Sequence, residues 1–187
     1  MCWISTKGSV DYRSKDFTDF FYHFVILCPA FHRIYNSKTK VVAFKNVSVR
    51  DCSFRDRGIE KGLVLTILSQ IRKITPDTFF MLTENGSVEE KVEEIEKSRG
   101  DCELMVFKQQ DRMSDTCSIY YYIRNAFAHG SFEIRQSGRR EMYLLESAKD
   151  MNVKCRIRLS KQNLKKIMLY ALMTPQEILN LRKERYV

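Results

Sequence analysis

The stretch Tyr120 to Gly130, reading Tyr-Tyr-Tyr-Ile-Arg-Asn-Ala-Phe-Ala-His-Gly, constrains this chain more than any other. It sets Arg124, Asn125 and His129 on a segment that is otherwise apolar or aromatic from Ile119 to Ala128, which predicts a helix with polar groups buried or half-buried near one another. Burying an arginine and an asparagine is expensive unless each finds partners. Two readings follow: the polar groups form a site, or Arg124 and Asn125 pin a helix crossing while His129 only ends the helix. At about 100° and 1.5 Å per residue, Arg124 and His129 stand roughly 140° apart around a helix and about 7.5 Å apart along it. Asn125 and His129 share a face, and Arg124 lies on the adjoining one. Convergence on one phosphate therefore needs a helix that ends at His129, with Gly130 in the left-handed position beyond it, or a second copy of the helix across a two-fold axis.

Arg124-Asn125 followed after three residues by His129 resembles the Arg-x4-His signature of the HEPN superfamily, the higher eukaryote and prokaryote nucleotide-binding domains. The resemblance implies a mainly α fold, a HEPN-like helical bundle with a small antiparallel β element after the motif helix. It also implies a homodimer with a composite site, RNA as substrate, metal-independent ribonuclease activity of the toxin or antiphage kind, and a cognate antitoxin as a further partner. No cofactor or metal is called for. In the toxins of this family that are silenced by AMPylation the motif continues His-x-Tyr, where this chain has Ser131. RNA carries its own nucleophile, the 2′-hydroxyl, so a base and a cationic clamp suffice for cleavage. His129 is the expected base, Arg124 the phosphate clamp through its fork of donors, and Asn125 the group that orients either. The alternative is a HEPN-like module that binds RNA, a nucleotide or its own copy and cuts nothing.

Length and charge are compatible with this. A chain of 187 residues with 44% hydrophobic and 12% aromatic content makes one domain with a substantial core. Residues 36–58 read as an inserted connection with one or two short strands, and 131–159 as a β-hairpin or meander elaboration. The excess of 32 Lys and Arg over 23 Asp and Glu gives +9 and suggests an anionic partner. Ten Lys and Arg against four Asp and Glu fall between Glu133 and Lys166, a net +6. There Val153, Cys155, Ile157 and Leu159 alternate with Lys154, Arg156 and Arg158, which predicts a strand with one apolar and one cationic face. Lys154, Arg156 and Arg158 are the expected RNA-phosphate track; a charged strand edge that blunts aggregation is the competing explanation. The six cysteines show no Cys-x2-4-Cys spacing and the three histidines no paired spacing, so no zinc site is expected. Scattered thiols, polar residues 4–16 and an apolar run, Phe20 to Ala30, too short for a bilayer predict a soluble cytoplasmic protein.

Along the chain, residues 1–15 read as a lead-in from which Trp3 and Ile4 can tuck against the body. Phe17, Phe20, Phe21, Phe24, Val25 and Phe31 recur at helical spacing, interrupted by Pro29. Ile59, Leu63, Ile67, Ile71 and Ile74 mark a core helix, and Ser87 to Ser98 a charged helix burying Val88, Val92 and Ile95. Phe79–Leu82 and Leu104–Phe107 are short apolar pieces of no assigned type. After a cap at Ser160, Leu164, Ile167, Met168 and Ala171 form the buried stripe of a late helix, followed beyond Pro175 by a short one from Gln176 to Lys183.

Overall fold

The structure, a computed structural model, describes residues 3–4, 14–27, 31–36, 41–46, 54, 57–110 and 113–183, with the backbone alone for 31–36, 41–46 and 183. Helix α1 (Lys15–Phe21) is capped by Ser14, whose hydroxyl accepts a hydrogen bond from the Phe17 amide. It passes into a π-helical turn, Tyr22–Ile26. Phe31, which the phenylalanine spacing would carry in the same helix, opens a strand instead. β1 (Phe31–Asn36) pairs antiparallel with β2 (Val41–Asn46). A proline two residues upstream bars helical continuation through its missing N–H; Pro29 itself, Val47 and Val49 lie outside the described residues. Helix α2 (Lys61–Arg72) buries Val64, Ile67, Leu68 and Ile71.

The expected mainly α bundle is not what this chain builds. Its centre is a five-stranded mixed sheet in the order β3-β4-β7-β6-β5, which makes the fold α/β. The strands are β3 (Phe79–Leu82), β4 (Leu104–Lys108), β5 (Phe132–Ser137), β6 (Arg140–Lys149) and β7 (Asn152–Ser160). β3 and β4 run parallel and the other pairs antiparallel. Parallel neighbours need a crossover, and α3 (Val88–Arg99) supplies it, capped by Ser87 and ended at Gly100 with φ 66°. The two unassigned apolar pieces are thus the strands that turn a bundle into a sheet protein. β4 is buried at every position; both its faces are covered, so the period-2 signal vanishes.

The β element expected at 131–159 supplies the other three strands. Ser137 pairs with Arg140 around a turn containing Gly138 at φ 60°, and Lys149 pairs with Asn152 around Asp150 and Met151, both at positive φ (51° and 60°). The motif helix is α4 (Asp115–Ala128), followed after β7 by α5 (Lys161–Leu172) and α6 (Pro175–Lys183). Ser160 caps α5, which buries Leu164, Ile167, Met168 and Ala171, as its spacing predicts. One sheet face, through Met105, Phe107, Tyr143, Leu145, Cys155, Ile157 and Leu159, packs with residues of α1, α2, α4, α5 and α6. The other, through Leu104, Val106, Met142, Leu144 and Val153, packs with Trp3 and the Val88, Val92 and Ile95 stripe of α3. No helix among the described residues is long and apolar enough to cross a membrane.

Candidate functional site

The motif helix is tied down along its length. Ser114 caps it by accepting from the Cys117 amide at 3.2 Å. The Thr116 hydroxyl donates to the carbonyl of Val64 in α2 at 3.2 Å, and the Tyr120 phenol to that of Ile167 in α5 at 2.8 Å. At the far end Gly130 takes φ 66°, its amide donates to Phe127 O at 3.3 Å, and the Ser131 amide donates to Ala126 O at 2.8 Å. These paired bonds close the helix in a Schellman motif, in which the left-handed residue avoids a Cβ penalty only as glycine. The Ser131 carbonyl then accepts from the Glu146 amide at 3.0 Å, tying the helix end to β6. His129, the last residue before the glycine, is held at a defined place on the surface.

A cleft of about 390 Å³ opens beside it. One wall is the stripe Tyr121, Asn125 and His129, spaced four residues apart and so superposed on one helix face. Ser147, Lys149 and Lys154 border the cleft from the β6–β7 end, and Lys108, Gln109 and Gln110 from the C-terminal end of β4. Arg124 does not line it. Its Nη1 donates to Asn125 Oδ1 at 3.0 Å, so the arginine stands on the adjoining face and holds the amide that does. Tyr120 and Tyr122 belong to the core, whereas Tyr121 is half-buried at the cleft. Burial pushes the Tyr122 phenol up, which keeps its proton; it donates to Lys108 O at 2.8 Å and accepts from Gln110 Nε2 at 2.5 Å.

Of the three cationic residues expected to track RNA, only Lys154 reaches this cleft. Ser147 pairs with Cys155 but Ala148 with Val153, so Lys154 is the extra residue of a β-bulge. A bulge re-aims a side chain and shifts the alternation. Val153 accordingly packs on the α3 face while Cys155, Ile157 and Leu159 pack on the other, and the unbroken alternation read from the sequence does not hold. Arg156 and Arg158 lie on the α3 face, already engaged. Arg156 Nε donates to Glu146 at 2.8 Å, with Glu89 at 4.0 Å; Arg158 meets Glu96 at 2.9 Å, Asp101 at 2.8 Å and the Cys102 carbonyl at 2.7 Å. Both guanidinium groups also lie just over 5 Å from the Trp3 ring centroid, at 5.1 and 5.2 Å. Glu89 and Glu96 come from α3, the charged helix of the sequence. The aggregation-blunting reading fails as well, because β7 sits inside the sheet between β4 and β6.

The sequence reading passed over Lys108, Lys149 and the glutamines as site residues. The one signal available for this wall was the i, i+4, i+8 stripe that adds Tyr121 to Asn125 and His129. Comparison with family models, curated proteins and solved structures finds no match for this chain.

Proposed function

We propose that this protein binds single-stranded RNA at the α4 cleft and cleaves it without a metal. One observation carries the reading: a histidine, an amide and lysines from separate elements border a single cleft of about 390 Å³, a size suited to a small ligand such as one nucleotide. In this reading His129 removes the 2′-hydroxyl proton and O2′ attacks phosphorus. The P–O5′ bond breaks, and the leaving oxygen takes a proton from an acid. Products are a 2′,3′-cyclic phosphate and a 5′-hydroxyl. Lys154 offsets charge on the phosphoryl oxygens. Arg124 fixes Asn125 in one chain; a direct role on phosphate requires a second copy facing the first, whose His129 would also serve as the acid. That arrangement accords with the HEPN resemblance in the motif, in a fold that is α/β. A toxin or antiphage role, with a cognate antitoxin, and a reducing, cytoplasmic setting complete the proposal; Cys102, Cys117 and Cys155 as free thiols support the setting.

The test incubates labelled RNA with purified protein in chelator, with His129→Ala alongside. Cleavage by the wild type, absent in the variant, is the expected result; activity only on adding a divalent ion overturns the mechanism. A second reading, binding without cleavage, rests on the same cleft, whose lysines and Tyr121 suit an anion and a base whether or not His129 acts on them. Tight RNA binding with no products in the same assay selects it.

A further inference from the structure

Arg156 and Arg158 in the sheet are treated differently from Lys108. Arg158 is 4% exposed and meets two carboxylates and a carbonyl. Arg156 meets Glu146 and Glu89. Lys108 is 7% exposed, and its ammonium donates to one neutral acceptor, the Glu84 carbonyl at 2.8 Å; it forms no ion pair with any described residue. An ammonium has three donors, and a buried charge needs a counter-charge to be tolerated. Lys108 lies at the C-terminal end of β4 where pairing with β7 has stopped, since the last β4–β7 pair is Phe107 with Cys155. Beyond that pair the Lys154 bulge displaces β7 and leaves the cleft that Lys108 borders.

Lys149 and Lys154 border the same cleft and form no ion pair with any described residue, and Glu84 is the one carboxylate among its lining residues. Within this lining three ammonium groups against one carboxylate leave a formal +2; Lys108 also borders a neighbouring cleft lined by Glu84, Glu89 and Asp150. A phosphodiester brings one negative charge, whereas a phosphate monoester brings up to about two at neutral pH. We propose that Lys108, Lys149 and Lys154 form a subsite for a terminal phosphate monoester of a nucleotide or RNA end, with Tyr121 on the helix wall available to the adjoining base. The inference takes from the preceding reading only that the anion belongs to a nucleotide. It makes the preferred substrate an RNA end bearing a phosphate, and the buried Lys108, which forms no ion pair with any described residue, the group that selects it.

Calorimetry on the full chain tests this with four probes: adenosine, adenosine 5′-monophosphate, the dinucleotide with only an internal diester, and the same dinucleotide with a 5′-phosphate. Both monoesters are expected to bind, and the other two to bind about ten- to hundredfold more weakly, the loss that one or two charge-assisted hydrogen bonds entail. Lys108→Met is expected to remove the preference, and Lys149→Gln or Lys154→Gln to reduce it. If Lys108→Met fails to fold, the two glutamine variants carry the test, because both positions lie at the surface end of the β6–β7 hairpin. Equal binding of mono- and diester by the wild type, or an undiminished preference in the glutamine variants, overturns the proposal. His129→Ala separates it from the cleavage reading: that variant is expected to keep the monoester preference. A wild type that binds monoesters selectively but cuts no RNA sinks the ribonuclease and leaves the subsite standing.

Discussion

Replacing Arg158 and Lys154 with methionine, one at a time, separates a cation that holds the fold from one that faces the cleft. Cutting a buried charge out of its cluster costs roughly 3–5 kcal/mol when the partner is left buried and alone. Here Glu96 and Asp101 are 38% and 61% exposed, so water takes over much of what they lose. What is left without a partner is the Cys102 carbonyl and one side of the Trp3 ring, and methionine refills part of the volume. The expected loss for Arg158→Met is therefore about 2 kcal/mol, which in a domain of this size lowers the melting midpoint by roughly 4–8 °C. RNA affinity is expected to stay the same. Lys154→Met reverses the pattern: stability within about 0.5 kcal/mol of wild type, weaker RNA binding, and a log–log salt slope shallower by about 0.7, one phosphate contact on a single strand. Thermal melts give the first quantity and fluorescence anisotropy across a salt series the second. An Arg158→Met protein with unchanged melting but weakened RNA binding would refute the assignment of these side chains to opposite sheet faces.

The helix end makes a second test. A Cβ on Gly130 meets no atom within 4 Å, so Gly130→Ala is expected to lose only the left-handed backbone penalty, about 1–2 kcal/mol, and Gly130→Asn less; equal stability of all three would remove the strain argument. Burial pushes the Cys155 thiol well up, so Cys155 is expected to resist iodoacetamide in the native protein and to label on unfolding, as read by mass spectrometry; fast native labelling contradicts its placement. Burial likewise raises the Tyr122 and Tyr143 phenols above their ordinary value. Their contribution to stability is whole below the unfolded tyrosine value of about 10 and falls as pH rises through and above it. Urea midpoints that do not decline on that alkaline side would contradict it. For the composite site, mixing Arg124→Ala with His129→Ala after subunit exchange is expected to restore activity if each site draws Arg124 and His129 from different chains. A monomer by light scattering with full specific activity rules the composite site out.

Much of the local structure was legible because the signal was local. Ser160 caps a helix through its own hydroxyl and Gly130 closes the motif helix, as read from the sequence, since capping is decided within four residues. The stripes of α3 and α5 follow from spacing alone. So does the grouping of Asn125 and His129 with Arg124 aside, which is helical geometry. The fold class was not legible. Phe79–Leu82 and Leu104–Lys108 are too short for periodicity to type, and β4, covered on both faces, shows no alternation to read.

Tertiary structure alone decided which cations do what. Lys154, Arg156 and Arg158 look equivalent along the chain, two residues apart on one expected face. A single extra residue in β7 breaks that equivalence and turns Lys154 toward His129, while the acids of α3 reach Arg156 and Arg158 from elsewhere in sequence. Lys108 is likewise an unremarkable end to an apolar run until the strand beside it veers away. Register and crossover are long-range properties, fixed by which strands find one another, and the sequence states them only through the packing they produce.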